Sequence, residues 1–420
     1  MKLLWITNIK VAYEDMESSS GGWMFGALEY LSDNTDYEII IAYPNGEKKN
    51  DSIRPQIKYT TFHYNTSKTK YDENLCDQFI SIYTDYQPDL IHIWGTERLH
   101  TYAAVQAAEK MQIVDKVVIS IQGLVSVLWK HYTLGIPVKY QGTKTLLDMA
   151  TGGSVKAQQK KYHRRGIYEQ LALKTAKNVI GRTPWDKACV QQINPDIRYF
   201  YCDEILRSEF YSSDQWKYLK CEHHSIFLSQ ASYPIKGFHF VLEALMIVKS
   251  KYPDVKVYVA GENIFGKKGG MTFINRNIRI STYKKYLYQK IVQYGLQENI
   301  VFLGRLNAIQ MKEQYLKTNV FVNASTVENA CNSIMEAMRL GVPVVSSYVG
   351  GITDTIDPQI NGIAYPCDEP YMLAYYIMEI FQDINLAERI SCNAREKAMR
   401  RYDPKKVGKE MVSIYESLKK

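Results

Sequence analysis

Short apolar runs of four or five residues recur along this chain, and they constrain its fold more than any other feature. Leu3-Leu4-Trp5-Ile6, Ile39-Ile40-Ile41-Ala42 and Val117-Val118-Ile119-Ser120-Ile121 are examples. They do not alternate with polar residues, and they are bounded by polar or glycine-containing turns. Strands of this kind are buried on both faces, as in a parallel sheet covered by helices. The pattern predicts strands at Lys2–Asn8, Glu38–Ala42, Asp89–Trp94 and Lys116–Gln122, with a helix from Trp23 to Leu31 after Gly21-Gly22. A polar stretch without clear period, Arg207–His224, follows. The pattern then restarts with strands at Ser225–Ser229, Val255–Gly261, Asn299–Leu303, Val320–Ser325 and Val342–Ser346, and a helix over Gly237–Lys251. At 420 residues the chain is too long for one ordinary domain. The expected class is α/β, with two Rossmann-like halves joined near Arg207.

Composition narrows the function. Hydrophobic residues are 46% and charged residues 23% of the chain, which excludes a disordered or collagenous protein. No apolar run approaches the roughly 18 residues of a membrane-spanning helix. The opening Met1–Asn8 reads as a first strand rather than a signal peptide. The seven cysteines are scattered, odd in number and never spaced C-x-x-C. Neither a disulfide framework nor a zinc site is indicated, and a reducing cytoplasm is the expected compartment. The net charge is +8, and almost all of it falls between Leu124 and Tyr168. There Lys130, Lys139, Lys144, Lys156, Lys160, Lys161, Arg164 and Arg165 face a single acid, Asp148. This is a local cationic surface rather than a basic protein.

The chemistry concentrates in VFVNASTVENACNSIMEAMRLGVPVVSSYVGG, Val320 to Gly351. A buried strand ends at Ser325, a loop carries Glu328, and a helix beginning near Cys331 carries Glu336. Gly341 stops that helix and Pro343 follows. In such βαβ units ligands bind outside the carboxyl ends of the strands. Two carboxylates there accept hydroxyls and suit a ligand with two polyol parts. Between them, the amides near Asn332 and Ser333 open a helix, a favoured phosphate position. Sugar, phosphate and ribose in that order describe a nucleotide sugar. Lys236, in Ser229–Gly237 after the first strand of this half, can neutralise a diphosphate. The chain has no D-x-D pair for a divalent metal, so no cofactor and no essential metal is expected. Gly21-Gly22, after the first strand of the chain, suits either a turn or close backbone approach to phosphate.

The E-x7-E spacing of Glu328 and Glu336, EAMRLGVPVVSS with the following Gly-Gly, Lys236-Gly237 and Gly21-Gly22 together resemble glycosyltransferase family 4. The resemblance covers the whole chain in layout, and its specific motifs lie in the second half. It implies the GT-B fold, two Rossmann-like domains whose parallel sheets face across a cleft. Residues 1–206 would bind the acceptor, 207–403 the nucleotide sugar, and a final helix within 404–420 would cross back to the first domain. It implies retaining, metal-independent transfer of a sugar from a nucleotide donor, of the hexosyltransferase class. Glu328 would contact the donor sugar, Glu336 the ribose, Lys236 the leaving diphosphate, and backbone near Gly22 the phosphates or acceptor. Three positions depart from the family. Ala231 stands where an arginine is usual, leaving Arg305 or Arg182 as substitutes. Gln122 stands where a histidine is usual, and it can donate a hydrogen bond but cannot titrate. Asp203-Glu204-Ile205-Leu206 replaces the usual interdomain Asn-Gly-Val-Asp.

Several residues have a plain reading beside a functional one. His92, in an apolar strand, reads as a core histidine. Glu97, His100 and His131 would face an acceptor or simply pack, and Arg182 would contact a ligand or pair with an acid. Cys331 reads as packing. Gly261–Thr282 is a loop over the second half's strand ends or an ordinary solvated loop. The cationic stretch fits a solvated helical face, a nucleic-acid surface without any supporting motif, or an anionic membrane bearing a lipid-linked acceptor. The last is preferred, since Leu128, Trp129, Tyr132, Leu134 and Ile136 are interspersed with the lysines. The expected partners are then a nucleotide sugar, a glycan or lipid-linked acceptor and the inner face of a membrane, with no nucleic acid. The competing classes are a GT-B sugar-nucleotide epimerase and a non-catalytic GT-B protein that binds a sugar nucleotide or organises a partner.

Overall fold

The computed structural model describes residues 1–11, 22–45, 54–65, 69–143, 145–262 and 281–419. Gly21, Lys144 and most of the Gly261–Thr282 loop lie outside these. Contacts divide the chain into two compact units. The first is Met1–Trp129, Lys161–Arg207 and Arg401–Lys420; the second is Lys130–Lys160 and Ser208–Arg400.

The first unit holds strands β1 (Lys2–Ile6), β2 (Glu38–Pro44), β3 (Ile57–Phe62), β4 (Leu90–Trp94), β5 (Val117–Ser120), β6 (Asn178–Gly181) and β7 (Arg198–Tyr201). They form one parallel sheet in the order β3-β2-β1-β4-β5-β6-β7. The central strands are apolar because helices cover both faces: every residue of β4 and β5 is buried. Ala103, Ala104, Ala107 and Ala108 of the helix Leu99–Lys110 let that helix lie close against the sheet. Edge strands follow a different rule. β3 (IKYTTF) exposes Lys58 and β7 (RYFY) exposes Arg198 and Tyr201, so neither shows the continuous apolar signature. The helix Pro404–Leu418 belongs to this unit and packs on the helix Gly22–Asn34.

The second unit holds β8 (Glu222–Leu228), β9 (Lys256–Ala260), β10 (Ile300–Gly304), β11 (Thr318–Asn323), β12 (Val344–Ser347) and β13 (Ile363–Tyr365). Their order is β10-β9-β8-β11-β12-β13, again wholly parallel. β8 begins inside the stretch that looked aperiodic, because Glu222, His223 and His224 are its partly exposed first residues. Each sheet therefore reverses its strand order once: at β1/β4 in the first unit and at β8/β11 in the second. Such a switch point leaves a crevice outside the carboxyl ends of the two strands.

One segment departs from the expected division. Residues Lys130–Lys160, inside the first half by sequence, are compact with the second unit. Polar contacts hold them there. Asp148 accepts from the Thr282 amide at 3.0 Å and from its hydroxyl. His239 Nε2 donates to the Leu134 carbonyl at 3.0 Å, and the Tyr140 hydroxyl donates to Gln289 at 2.7 Å.

Candidate active site

The β8/β11 switch point gathers the second-half motif residues. After β8 the chain runs to a short turn, Pro234–Lys236, which ends on Gly237 and opens the helix Phe238–Lys251. After β11 a loop leads to the helix Asn332–Leu340. The two loops meet backbone to backbone. Gly237 has φ +64°, and a Cβ there would lie 1.8 Å from the Ala324 carbonyl oxygen, so only glycine fits. The Thr326 amide donates to the Ile235 carbonyl at 2.7 Å. The Thr326 hydroxyl donates to the His131 carbonyl at 3.2 Å, tying the Lys130–Lys160 segment to the same loop.

This closure pairs Lys236 with Glu328. Lys236 Nζ lies 2.7 Å from Glu328 Oε2, with side chains 19% and 18% exposed. Burial would lower the Lys236 pKa, but the Glu328 carboxylate overrides it and holds the amine well above the ordinary lysine value. Ser325 Oγ lies 3.0 Å from the same carboxylate oxygen and 2.8 Å from Asn323 Oδ1. Asn323 Nδ2 donates to Ser346 Oγ at 3.0 Å, and the Ser347 hydroxyl donates to the Ser325 carbonyl at 2.6 Å. The Gly351 amide donates to the Glu328 carbonyl at 3.0 Å. Glu328 is thus fixed from its side chain and its backbone. Sequence reasoning missed Asn323, Ser325 and Ser346. Their signal was present: three small polar residues at the carboxyl ends of otherwise apolar strands.

The remaining residues of the motif sit as follows. Asn332 and Ser333 are half-buried at the first turn of their helix. Glu336 is buried at 5% exposure, and Gly341 ends the helix in the left-handed region. Tyr233 packs beside Lys236, the amine 5.8 Å from its ring centre. Burial and the Glu328 charge push the Cys331 thiol up, and its sulfur lies 3.1 Å from Ser333 Oγ, as befits a packing residue. Ala231 is buried. Arg305 is exposed at the end of edge strand β10, with β9 and β8 between it and β11.

In the first unit, Gln122 Nε2 donates to Glu204 at 2.6 Å, and Arg182 pairs with the same carboxylate at 2.7 Å, both charged side chains buried. Arg182 is therefore a structural partner of an acid. Gly22 opens its helix where a Cβ would meet the Arg207 side chain at 2.6 Å. His92 is a core histidine. Its ring nitrogens lie 2.5 Å from the Tyr415 hydroxyl and 2.7 Å from Ser120 Oγ, and burial lowers its pKa to about 3. Burial likewise lowers the pKa of His100 to about 3, and burial then Lys130 lowers that of His131.

In the cationic stretch, Lys130, Lys139, Lys156, Lys160 and Arg164 are exposed, and Lys161 and Arg165 are half-buried. Its single acid is turned inward: Asp148 is 2% exposed and bonded to Thr282. Val138 and Met149 stand out at 75% and 72% exposure. Among the described residues no three His, Cys, Asp or Glu side chains converge as a metal set, and no helix is long and apolar enough to cross a membrane.

Known proteins resemble this chain in sequence and in fold. Residues 214–397 match the sequence family described as "Glycosyl transferases group 1". An uncharacterized glycosyltransferase of Methanocaldococcus jannaschii is 28% identical over 191 residues, 45% of this chain and 44% of that protein. The colanic acid biosynthesis glycosyltransferase WcaL of Salmonella typhimurium, itself assigned provisionally, is 24% identical over 190 residues, 44% of this chain and 42% of that one. The matched region thus spans less than half the length of these relatives. Among solved structures, Anabaena HepE in complex with UDP and glucose aligns over 99% of this chain and 100% of its own. The TM-score is 0.68 at 16% identity. That likeness shows the fold: GT-B, two Rossmann-like domains with parallel sheets.

Proposed function

We propose that this protein is a glycosyltransferase that moves a sugar from a nucleotide-sugar donor to a glycan acceptor. The observation that carries the proposal is the Lys236–Glu328 pair at the β8/β11 switch point, beside the first turn of the helix Asn332–Leu340. Glu328 accepts donor-sugar hydroxyls, and Lys236 with the helix amides compensates the diphosphate as it leaves. Glu336 holds the ribose, Asn332 and Ser333 line the phosphate position, and Arg305 is the outlying member of the set. Lys236 supplies the cation that a metal would otherwise provide. The group 1 match and the UDP-bound neighbour support a nucleotide donor. Retention of configuration follows from the resemblance to family 4.

The acceptor we favour is a lipid-linked surface-polysaccharide intermediate, met at the inner face of a membrane. The support is chemical: an exposed cationic stretch whose acid is buried and whose Val138 and Met149 project outward suits an anionic interface. A sugar-nucleotide-binding protein without transfer activity is the second reading, favoured by Ala231 and by the engagement of Gln122 and Arg182 with Glu204.

One experiment separates them. UDP-, GDP- and ADP-sugars are screened for thermal stabilisation and nucleotide release, with and without phosphatidylglycerol vesicles. The expected result is one stabilising donor, slow release in water, faster release with lipid extract, and co-sedimentation with vesicles. Stabilisation without release would leave the binding-only reading. No stabilisation by any donor would overturn both.

A further inference from the structure

Among the described residues, the first unit's switch point holds two buried oxygens without a hydrogen-bond partner, Asn8 Oδ1 and Glu97 Oε2. β1 is followed by Thr7 and Asn8, and β4 by Gly95, Thr96 and Glu97. Gly95, at φ +98°, lets the Glu97 carboxylate lie against the backbone. A Cβ there would sit 2.5 Å from Glu97 Oε2 and 3.3 Å from Asn8 Nδ2, so both side chains converge on one glycine. The other carboxylate oxygen faces Gly123 in the loop after β5. The amides of Glu97, Gly123 and Thr96 donate to this carboxyl group. These amides leave Glu97 Oε2, like Asn8 Oδ1, buried without a hydrogen-bond partner among the described residues.

An amide oxygen only accepts, and so does an ionised carboxylate. Two such atoms left unmet at a switch point call for a ligand that brings hydrogen-bond donors. The donor is a hydroxyl rather than an ammonium. Arg98 acts electrostatically on Glu97, and Arg165 lies within reach of both Arg98 and Glu97, so an additional cation would be repelled. We propose that Asn8 Oδ1 and Glu97 Oε2 form a hydroxyl-binding subsite for the acceptor sugar, at the carboxyl ends of β1 and β4. This rests on the transfer reading and deepens it, assigning acceptor recognition to two residues of the first unit.

The test uses the full chain and a panel of p-nitrophenyl hexosides, with Glu97→Gln and Asn8→Ala as variants. Glycoside binding is measured by calorimetry, and nucleotide release from the donor is measured in the same samples. Thermal stabilisation by UDP, bound in the second unit, checks that each variant is folded. The expected result is millimolar binding of at least one glycoside to the native chain, weakened tenfold or more in both variants. That glycoside should also accelerate nucleotide release, and acceleration should fall in parallel. Equal binding by all three proteins, or binding of no glycoside by the native chain, overturns the subsite. Glycoside binding lost in the variants, with no nucleotide release from any protein, would keep the subsite and overturn the transfer reading instead.

Discussion

The two sheets reverse their strand order in the same way, yet the crevices that result are furnished oppositely. At β8/β11 a lysine and a glutamate meet at 2.7 Å, and the carboxylate holds the charge of the amine. At β1/β4 no ion pair holds the acids among the described residues, although Arg98 acts electrostatically on Glu97. Burial raises the pKa of Glu97, and Glu169, 2% exposed behind it, is pushed up to about 7. Burial outweighs even four contacts to Glu169: the Val125 amide at 3.0 Å, the Ser126 amide at 2.9 Å, the Ser126 hydroxyl at 2.5 Å and the Thr96 hydroxyl at 2.7 Å. The fold supplies a crevice in both units, while the side chains decide what it can hold. A crevice with an ion pair suits a departing diphosphate, and one whose buried acids have no direct ion-pair partner suits neutral hydroxyls.

Lys236→Met breaks the comparison most severely, because it makes the second crevice resemble the first. Among the described residues, Glu328 then keeps only Ser325 as a side-chain partner. We expect nucleotide release to fall by about 100- to 1,000-fold, the usual cost of removing one preorganised charge-stabilising group. The melting temperature should fall with it, since a partly buried carboxylate loses its cation. A variant that releases nucleotide at the native rate would remove Lys236 from the chemistry.

Glu169→Gln sharpens the other side. A carboxyl whose folded pKa is about 7 rather than the ordinary 4.5 binds its proton more tightly in the folded state. Its stabilisation is therefore complete below pH 4.5 and is lost as pH rises to about 7, on the order of 3 kcal/mol in total. Denaturant midpoints taken from pH 5 to 8 should show this decline in the native chain. The glutamine variant should be flatter across the same range, and parallel curves would show that Glu169 is not the titrating group.

The contrast also explains what the sequence disclosed. β8, β11 and the loops beyond them were readable because their chemistry is local: Glu328 and Glu336 share one βαβ unit, and Lys236 precedes a helix that Gly237 opens. The edge strands β3 and β7 escaped notice because one side of an edge faces solvent and its residues need not be apolar, and β13 because it has only three residues. The grouping of Lys130–Lys160 with the second unit was not legible at all. It depends on pairs such as Asp148 with Thr282, 134 positions apart, whose partners carry no mark in the chain. The same holds for the first crevice. Glu97 drew attention for its position after β4, but its unmet oxygen depends on Asn8, 89 positions earlier, and on Gly95 between them.

Ser325→Ala tests how finely the second crevice is set. Ser325 contacts Glu328 directly and links it to Asn323 and Ser346. Lys236 remains, so the carboxylate stays compensated and the fold keeps its closing contacts at Gly237 and Gly351. Only one hydrogen bond to a charged group is removed, worth about 1.5–3 kcal/mol in general and less here because the adjacent Asn323 is part of the same network. We expect roughly a tenfold loss, expressed in kcat more than in the donor's KM, because Glu328 would be misdirected while Lys236 and the helix amides still hold the diphosphate. If the loss falls wholly in KM, Ser325 supports ground-state donor binding, and the role of Glu328 shifts from aligning the reacting sugar to anchoring it.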